Sequence, residues 1–318
     1  MSLLRVGILG PSRVAAYAMI APARAHDRVQ VAAVAGRDQA RAAAYAERHG
    51  IARVHVDAAA LIADPAIDLV YVATPPVAHA ALAVAALDAG KAVFIEKPIA
   101  MNAGEATAIA DAAARTGRPA IEAFHYRHHR LFARVLALSA RLGRLTTLEA
   151  RFLATIAQTP EEFRWRGGDG GGALMDLGCY CLHWMRTVTG QEPQVAEAWQ
   201  DKRGDVDAET RATLTFPGGA VGRLHASMIG PGREAALRIE GERGWIDVTN
   251  PLAPQLGHAL AWAIDGNAGA ETVDGPSTFD AQLDALARHL LDGAAFVLPP
   301  GDAAANMAAI DAIRAAAA

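Results

Sequence analysis

Cysteine is scarce in this chain: 318 residues contain two, Cys179 and Cys181. So few thiols exclude a disulfide framework and fit a reducing compartment, so the expected location is the cytoplasm. No uninterrupted apolar run approaches the roughly 18 residues of a membrane span. MSLLRV leads directly into a glycine turn, with no charged, apolar and cleavage regions of a secretory leader. An excess of positive charge is also missing. Lys and Arg total 30 against 34 Asp and Glu, a formal charge of −4, and the basic residues are scattered. That balance argues against nucleic acid or an anionic membrane as a partner. There is no internal repeat of 20 to 50 residues, and no second ligand cluster at zinc-finger spacing.

What is present is apolar material, at 52% of the residues, enough for two domains with substantial cores. Residues 4 to 123 alternate short β-branched runs with helical stretches. LRVGIL precedes a helix from about 13, VQVAAV a helix at 38 to 49, and VHV follows. LVYVAT precedes a helix at 77 to 89, AVFIE a helix at 102 to 116, and PAIEAF closes the series. Strand, helix and strand at this spacing make βαβ units, so the fold class is α/β, with an N-terminal doubly wound parallel sheet of the Rossmann kind.

After a helix at about 127 to 142, the pattern shifts to LTTLEARFLAT, VAEAWQDKR, ETRATLTF, AVGRLHASMI, AALRIEG and GWIDVT, with PGG as a hairpin turn. This predicts a C-terminal α+β domain with a mainly antiparallel, open sheet. The expected domains are 1–123 for dinucleotide and 124–318 for substrate and oligomerisation. Of the helices at about 277 to 292 and from 302 onward, one is expected to pack back on the first domain. The alanine run at 315 to 318 belongs to that last helix, because alanine is the best helix former.

The first strand ends in GILGPSRVAA. In a dinucleotide-binding turn one glycine permits the tight bend, a second lets backbone approach the pyrophosphate and a third lets the helix pack closely. Gly10, Ser12 and Ala15 take those places, and Gly10, Ser12, Arg13 and Val14 are candidate cofactor contacts. After the second strand, where an acid would bind a ribose 2′-hydroxyl, stand Gly36 and Arg37. An arginine pairs with a 2′-phosphate, so the pattern favours NADP, with NAD the alternative.

The segment GGALMDLGCYCLHW, residues 171 to 184, holds Asp176, Cys179, Tyr180, Cys181 and His183. On a helix with Asp176 at zero, Cys179 lies at about −60°, Tyr180 at about +40°, His183 at about −20° and Cys181 at about +140°. The cysteines diverge, which excludes a redox pair. Asp176, Cys179 and His183 could ligate a metal, but a lone trio on one helix is commonly a false signal, and no metal is expected. AVFIE leads into Glu96-Lys97-Pro98 at the carboxyl end of a parallel strand, where doubly wound sheets place ligands.

With the Gly10 turn, the TPP run at 74 to 76 with His79, the EKP tripeptide, EAFHYRHH at 122 to 129 and GGGALMDLGCY at 170 to 180, the sequence resembles the Gfo/Idh/MocA family of nicotinamide-dependent oxidoreductases along nearly its whole length. The resemblance implies a dehydrogenase acting on a CH–OH group of a sugar, polyol or cyclic diol. Tyr180, its phenolate favoured by Lys97, would take the proton of the substrate hydroxyl while hydride passes to the nicotinamide, and Asp176 would position the substrate or Lys97. It also implies cofactor contacts at Thr74, Pro75, His79, Glu96 and Lys97, and places Arg127 and Arg164 near cofactor or substrate. Three departures stand out: Ser12 for the second glycine, Pro76 where many members have Asn, and His125 and Arg130 in the EAF run.

Two alternatives come with the family, a dinucleotide-sensing regulator without catalysis and an NAD-dependent glycoside hydrolase. Lys97 and Tyr180 argue against the first and Arg37 against the second. ARFLAT, RATLTF and GRLHASMI carry apolar residues on both parities, so the open sheet face is expected to pack on another subunit, giving a homodimer or a tetramer of dimers.

Overall fold

The apolar runs of the first 123 residues become six strands: β1 (Leu4–Leu9), β2 (Val29–Ala35), β3 (Arg53–His55), β4 (Leu69–Val72), β5 (Ala92–Ile95) and β6 (Ala120–Glu122). The structure, a computed structural model, describes residues 2–299 and 301–317. Met1, Pro300 and Ala318, the last residue of the terminal alanine run, lie outside the described residues. Two units make up the chain, one of Met1–His125 with Phe279–Ala304, the other of Tyr126–Thr278 with Ala305–Ala318.

In the first unit the strands pair in parallel in the order β3-β2-β1-β4-β5-β6. All four residues of β4 are buried, as are five of the six in β1, which is why these strands read as continuous apolar runs rather than alternating ones. The chain runs outward from β1 through β2 to β3 and then returns to the other side of β1 as β4. The carboxyl ends of β1 and β4 therefore flank the switch point at which doubly wound sheets bind ligands. Helix Thr278–Asp292 packs on this unit, with Leu283, Leu286 and Ala287 sharing one core with Val6, Ile8, Tyr71 and Phe94.

Two local features differ from the expected pattern. The first helix is broken into Arg13–Ala15, a π turn at Ala16–Ile20, and Ala21–Arg24. A short helix at Ala58–Ala63 also went unanticipated, although Asp57, whose side chain accepts from Ala60 N, is a standard start signal.

The second unit contains β7 (Leu145–Thr155), β8 (Gln194–Arg203), β9 (Val206–Thr215), β10 (Val221–Ser227), β11 (Ile229–Gly241), β12 (Gly244–Thr249), β13 (Ala259–Ile264) and β14 (Asn267–Glu271). Their order is β14-β13-β12-β11-β7-β10-β9-β8, with every pair antiparallel except β7 with β10. The β13–β14 hairpin was not anticipated. Its signal is Asp265-Gly266, both at positive φ, a dipeptide suited to a primed hairpin turn.

One face of this sheet is covered by a π turn, Leu174–Gly178, running into helix Cys179–Thr189. Gly178 permits this approach, since a Cβ there would lie 3.3 Å from the Ala226 Cβ on β10. The final helix, Asp302–Ala316, is tied to the same layer, because Asn306 pairs with Arg186 and donates to the Cys179 carbonyl.

The other sheet face is not apolar, contrary to the two-parity reading of its strands. β9 alternates strictly between buried and less buried residues, and its outer side presents Glu209, Arg211 and Thr213. Cross-strand polar pairs line that face: ion pairs of Arg223 with Glu149 and of Arg238 with Asp247, and a hydrogen bond between His225 and Glu209. Trp199 is the large exposed apolar group there, at 53% exposure. The buried apolar residues of these strands fall on a single parity, Ala150 and Phe152, Ala212 and Leu214, and Leu224 and Ala226 lying side by side in register.

Candidate active site

The first unit gathers its expected site residues on the carboxyl ends of its strands. Gly10 follows β1 at φ 98°, and a Cβ there would sit 2.8 Å from the Ala73 carbonyl oxygen, so glycine is required by conformation and by space. Ser12 caps the next helix through its hydroxyl, which accepts from Ala15 N at 3.3 Å, and its own carbonyl accepts from the Tyr45 hydroxyl at 2.9 Å. Serine at the second glycine place is therefore a helix cap.

Gly36 closes β2 against this turn, for a Cβ there would lie 2.8 Å from Pro11 Cδ. Arg37 is exposed beside it. Asp38 accepts from Arg41 N at 3.0 Å as the cap of helix Gln39–His49, so the acid nearest to the ribose position already has a structural use.

Thr74 follows β4, and its buried Oγ1 has no hydrogen-bond partner among the described residues. A buried hydroxyl left unsatisfied at the switch point is a place for a ligand's polar group. His79 faces two carbonyl oxygens, that of Thr74 at 2.8 Å from Nε2 and that of Pro98 at 3.0 Å from Nδ1. Burial lowers its pKa, and a neutral ring donates to one of the two at a time. His79, expected to contact the cofactor, thus faces a backbone carbonyl with each ring nitrogen and ties the Thr74-Pro75 loop to the Lys97-Pro98 loop.

Lys97-Pro98 is a cis peptide. Glu96, expected to touch cofactor, is buried and accepts from the hydroxyl of fully buried Tyr71. Burial first, then the Glu96 charge, pushes the Tyr71 phenol well above its usual range, so it stays a donor. On the far side of the loop, Ile99 N donates to Glu122 Oε1 at 2.8 Å. Lys97 is thus carried on a loop held at three neighbouring residues, Glu96, Pro98 and Ile99.

The second unit brings together Arg164, Asp176 and Glu162. Every residue from Gly171 to Arg186 is buried, so the helix lacks a solvent face, and the π turn widens the phase from which angles around Asp176 were read. Arg164 Nε donates to Asp176 Oδ2 at 2.6 Å and Arg164 Nη1 to Glu162 Oε1 at 2.9 Å. The two carboxylates, Asp176 first, hold the guanidinium's pKa above its ordinary value.

Tyr180 packs edge-on to Phe152 and Tyr126, at ring-centroid distances of 5.9 and 6.3 Å. His183 is fully buried with Nδ1 2.6 Å from the Tyr126 hydroxyl. Arg127 lies over the Phe132 ring at 5.3 Å. Arg127 and Arg164 are expected near cofactor or substrate; Arg164 makes hydrogen bonds to two carboxylates of its own unit. Burial raises the pKa of the Cys181 thiol, and both cysteines are unoxidised and buried.

Residues 4–124 match the family model described as "Oxidoreductase family, NAD-binding Rossmann fold", and residues 131–247 match the GFO/IDH/MocA C-terminal domain. Over 312 residues, 96% of this chain and 95% of the relative, the sequence is 31% identical to a D-xylose 1-dehydrogenase (NADP(+)) of Haloferax volcanii. The chain belongs to the Gfo/Idh/MocA family. A trans-1,2-dihydrobenzene-1,2-diol dehydrogenase of Sus scrofa is 31% identical over 70% of this chain and 67% of its own. The crystal structure of an aldose-aldose oxidoreductase from Caulobacter crescentus complexed with glycerol superposes with a TM-score of 0.90 at 26% identity, covering 99% of this chain and 97% of that one.

This Gfo/Idh/MocA oxidoreductase therefore carries an NAD-binding Rossmann domain, and the residues present fit a dinucleotide: the Gly10 bend leaves room that a Cβ would fill, and Thr74 Oγ1 awaits a partner. Several members of the site escaped the sequence reading. Asp207, Tyr71 and Tyr126 act through residues distant in the chain, on Leu174, Glu96 and His183, and Glu162 acts through Arg164 two residues on, where no motif marks it. Gly170–Gly172 was read only as a family run. In the structure, a Cβ on Gly171 would lie 2.4 Å from the Arg164 carbonyl oxygen, and Gly172 N donates to that oxygen at 2.9 Å. The glycines let the Arg164 segment lie against the start of the Tyr180 helix.

Proposed function

We propose that the protein is an NADP-dependent dehydrogenase that oxidises a CH–OH group of a sugar, polyol or cyclic diol. The end-to-end likeness to a D-xylose 1-dehydrogenase (NADP(+)) carries this reading, joined to the presence of both Lys97 and Tyr180. The bound nicotinamide supplies the hydride acceptor. Tyr180 takes the proton of the substrate hydroxyl, Lys97 supplies the positive charge that favours the phenolate, and Asp176 orients the substrate as an anionic acceptor. Gly10, Ser12, Arg13 and Val14 hold the pyrophosphate; Thr74 and Pro75 hold the cofactor at the switch point, where the loop ties of His79 and Glu96 keep Lys97 in place. A panel of aldoses, inositols and trans-diols with NADP⁺ and with NAD⁺, followed at the reduced-nicotinamide absorbance, tests substrate class and cofactor together. No reduction with any member overturns the reading.

Cofactor preference rests on charge. Arg37 is exposed at the end of β2, and Arg13, Arg41 and Arg48 line a concavity of about 390 Å³ that includes Pro11 and Ser12 of the glycine turn. A 2′-phosphate gains charge-assisted hydrogen bonds there and a bare ribose does not. Arg37→Ala is expected to weaken NADPH by about 1 to 3 kcal/mol relative to NADH, the scale of a charged hydrogen bond. Fluorescence titration of both reduced cofactors measures it, and equal affinities in the wild type contradict the assignment.

We also propose a homodimer, or a tetramer of dimers, acting in the cytoplasm and joined through the open sheet face. That face has a concavity of about 610 Å³ around Trp199, Arg211 and Arg223, and its alternating charges suit a two-fold contact in which each patch meets its own copy. Sedimentation at micromolar concentration should give twice or four times the chain mass. A monomer overturns this part of the proposal.

A further inference from the structure

The guanidinium of Arg164 stands between two carboxylates, Nε toward Asp176 and Nη1 toward Glu162, and its carbon lies 4.9 Å from the centre of the Phe163 ring. Its main chain is pinned as well: the Arg164 carbonyl accepts from Gly172 N, and the backbone at Gly171 passes too close for any Cβ. Both ends of the residue are thus located against the start of the helix that carries Tyr180.

We infer that Arg164 is a positioning residue for the reaction: it holds the Asp176 carboxylate in one orientation, so that Asp176 serves as a fixed anionic acceptor for a substrate hydroxyl. The inference deepens the proposed dehydrogenase reading and rests on it.

Stability alone is a weak reason for this arrangement. The Asp176 and Arg164 side chains are 10% and 26% exposed, and desolvation offsets much of what such a pair contributes; an apolar contact would serve as well. Orientation is a better one. The fork of a guanidinium sets direction at each bond, and here one arm fixes Asp176 while the other is braced on Glu162. The π turn through Asp176 is a conformation that tends to occur at functional sites. On the sheet side the layer facing this turn is apolar or neutral, with Leu148, Ala150, Leu224 and Ala226, apart from Asp207 at the edge, which accepts from Leu174 N at 2.7 Å.

The test compares Arg164→Gln, Arg164→Lys, Asp176→Asn and the Arg164→Gln/Asp176→Asn double variant, using the best substrate of the panel. Arg164→Gln is expected to lower kcat/KM about ten- to a hundredfold, the scale of a displaced orienting group. Its NADP⁺ dissociation constant should stay within about twofold, because Arg164 acts through Asp176 and makes no bond to the glycine turn's own residues. Lysine should recover part of the loss as a point charge without the fork. The double variant should lose no more than Asp176→Asn alone, since Arg164 acts through that carboxylate. Unchanged kcat/KM in Arg164→Gln overturns the inference, as do losses that multiply in the double variant, or a lowered unfolding temperature with normal kinetics in the folded protein. Failure of the underlying reading looks different: the wild type itself reduces neither cofactor with any substrate, and the inference falls with it.

Discussion

Tyr180→Phe is expected to lower turnover by about 10²-fold or more, the usual worth of a positioned acid or base, while NADPH affinity and unfolding temperature stay near wild type. The ring is the structural part of this residue. It is 5% exposed and packs with Phe152, Tyr126 and Trp184, contacts that phenylalanine keeps. Only the hydroxyl is lost. Lys97→Ala should cost at least as much, because in the proposed mechanism Lys97 is the cation that favours the phenolate. Residues that act as a unit overlap in what they contribute, so the double variant should lose less than the product of the two. Steady-state kinetics with cofactor binding by fluorescence checks all three proteins. Near-normal turnover in Tyr180→Phe would move the proton to another group. His183 is poorly suited to take it, being fully buried with Nδ1 against the Tyr126 hydroxyl, so that outcome would point to Lys97.

Gly172→Ala should destabilise the protein by about 3 kcal/mol or more, the range of strained backbone combined with loss of a buried polar contact. Gly172 has φ 115°, and a Cβ there would lie 2.1 Å from Asp207 Oδ1. Asp207 cannot simply move aside. Its Oδ2 accepts from Leu174 N at 2.7 Å and from the Thr210 hydroxyl at 2.6 Å, so displacing it uncaps the π turn through Asp176. Burial already pushes this carboxyl's pKa up, and the two hydrogen bonds, which act in the opposite direction, are what a displaced side chain would lose. Denaturant unfolding with an unchanged m-value measures the effect. Gly168→Ala is the control, since nothing lies within 4 Å of a Cβ there, and it should shift stability by less than about 1 kcal/mol. Equal stability of Gly172→Ala and wild type would contradict the geometry.

The elements that were legible share a physical property: their signal is local. Strands of a parallel sheet are buried on both faces, so β1 and β4 announce themselves as unbroken apolar runs. Asn102 and Asp38 start helices, and Gly50 and Gly117 end them in left-handed conformation, which explains why those two helices fall close to where they are expected. Lys97 was placed at a strand's carboxyl end by the AVFIE run alone, and Tyr180 by its distance from Asp176 within a family motif. The β13–β14 hairpin has an equally local signal in Asp265-Gly266, two adjacent residues at positive φ. The exposed face of the second sheet was misjudged for another reason. Parity in a strand tells which residues share a face, but it does not tell which face a helix will cover.

By itself, then, the sequence determined the fold class, the family, the position of the glycine turn and the residue types available for proton transfer, because each depends on periodicity or on a few adjacent residues. Which charges are free to meet a ligand was decided only in three dimensions. Arg164 and Asp176 are 12 residues apart, Tyr71 and Glu96 25, and Tyr126 and His183 57. Pairings at such separations depend on how sheets and helices stack, and a charged side chain takes whichever partner the packing brings within about 3 Å. So Arg164 and His79, read as ligand contacts, are held by the protein's own carboxylates and carbonyls, whereas Arg37, at the open end of β2, remains exposed.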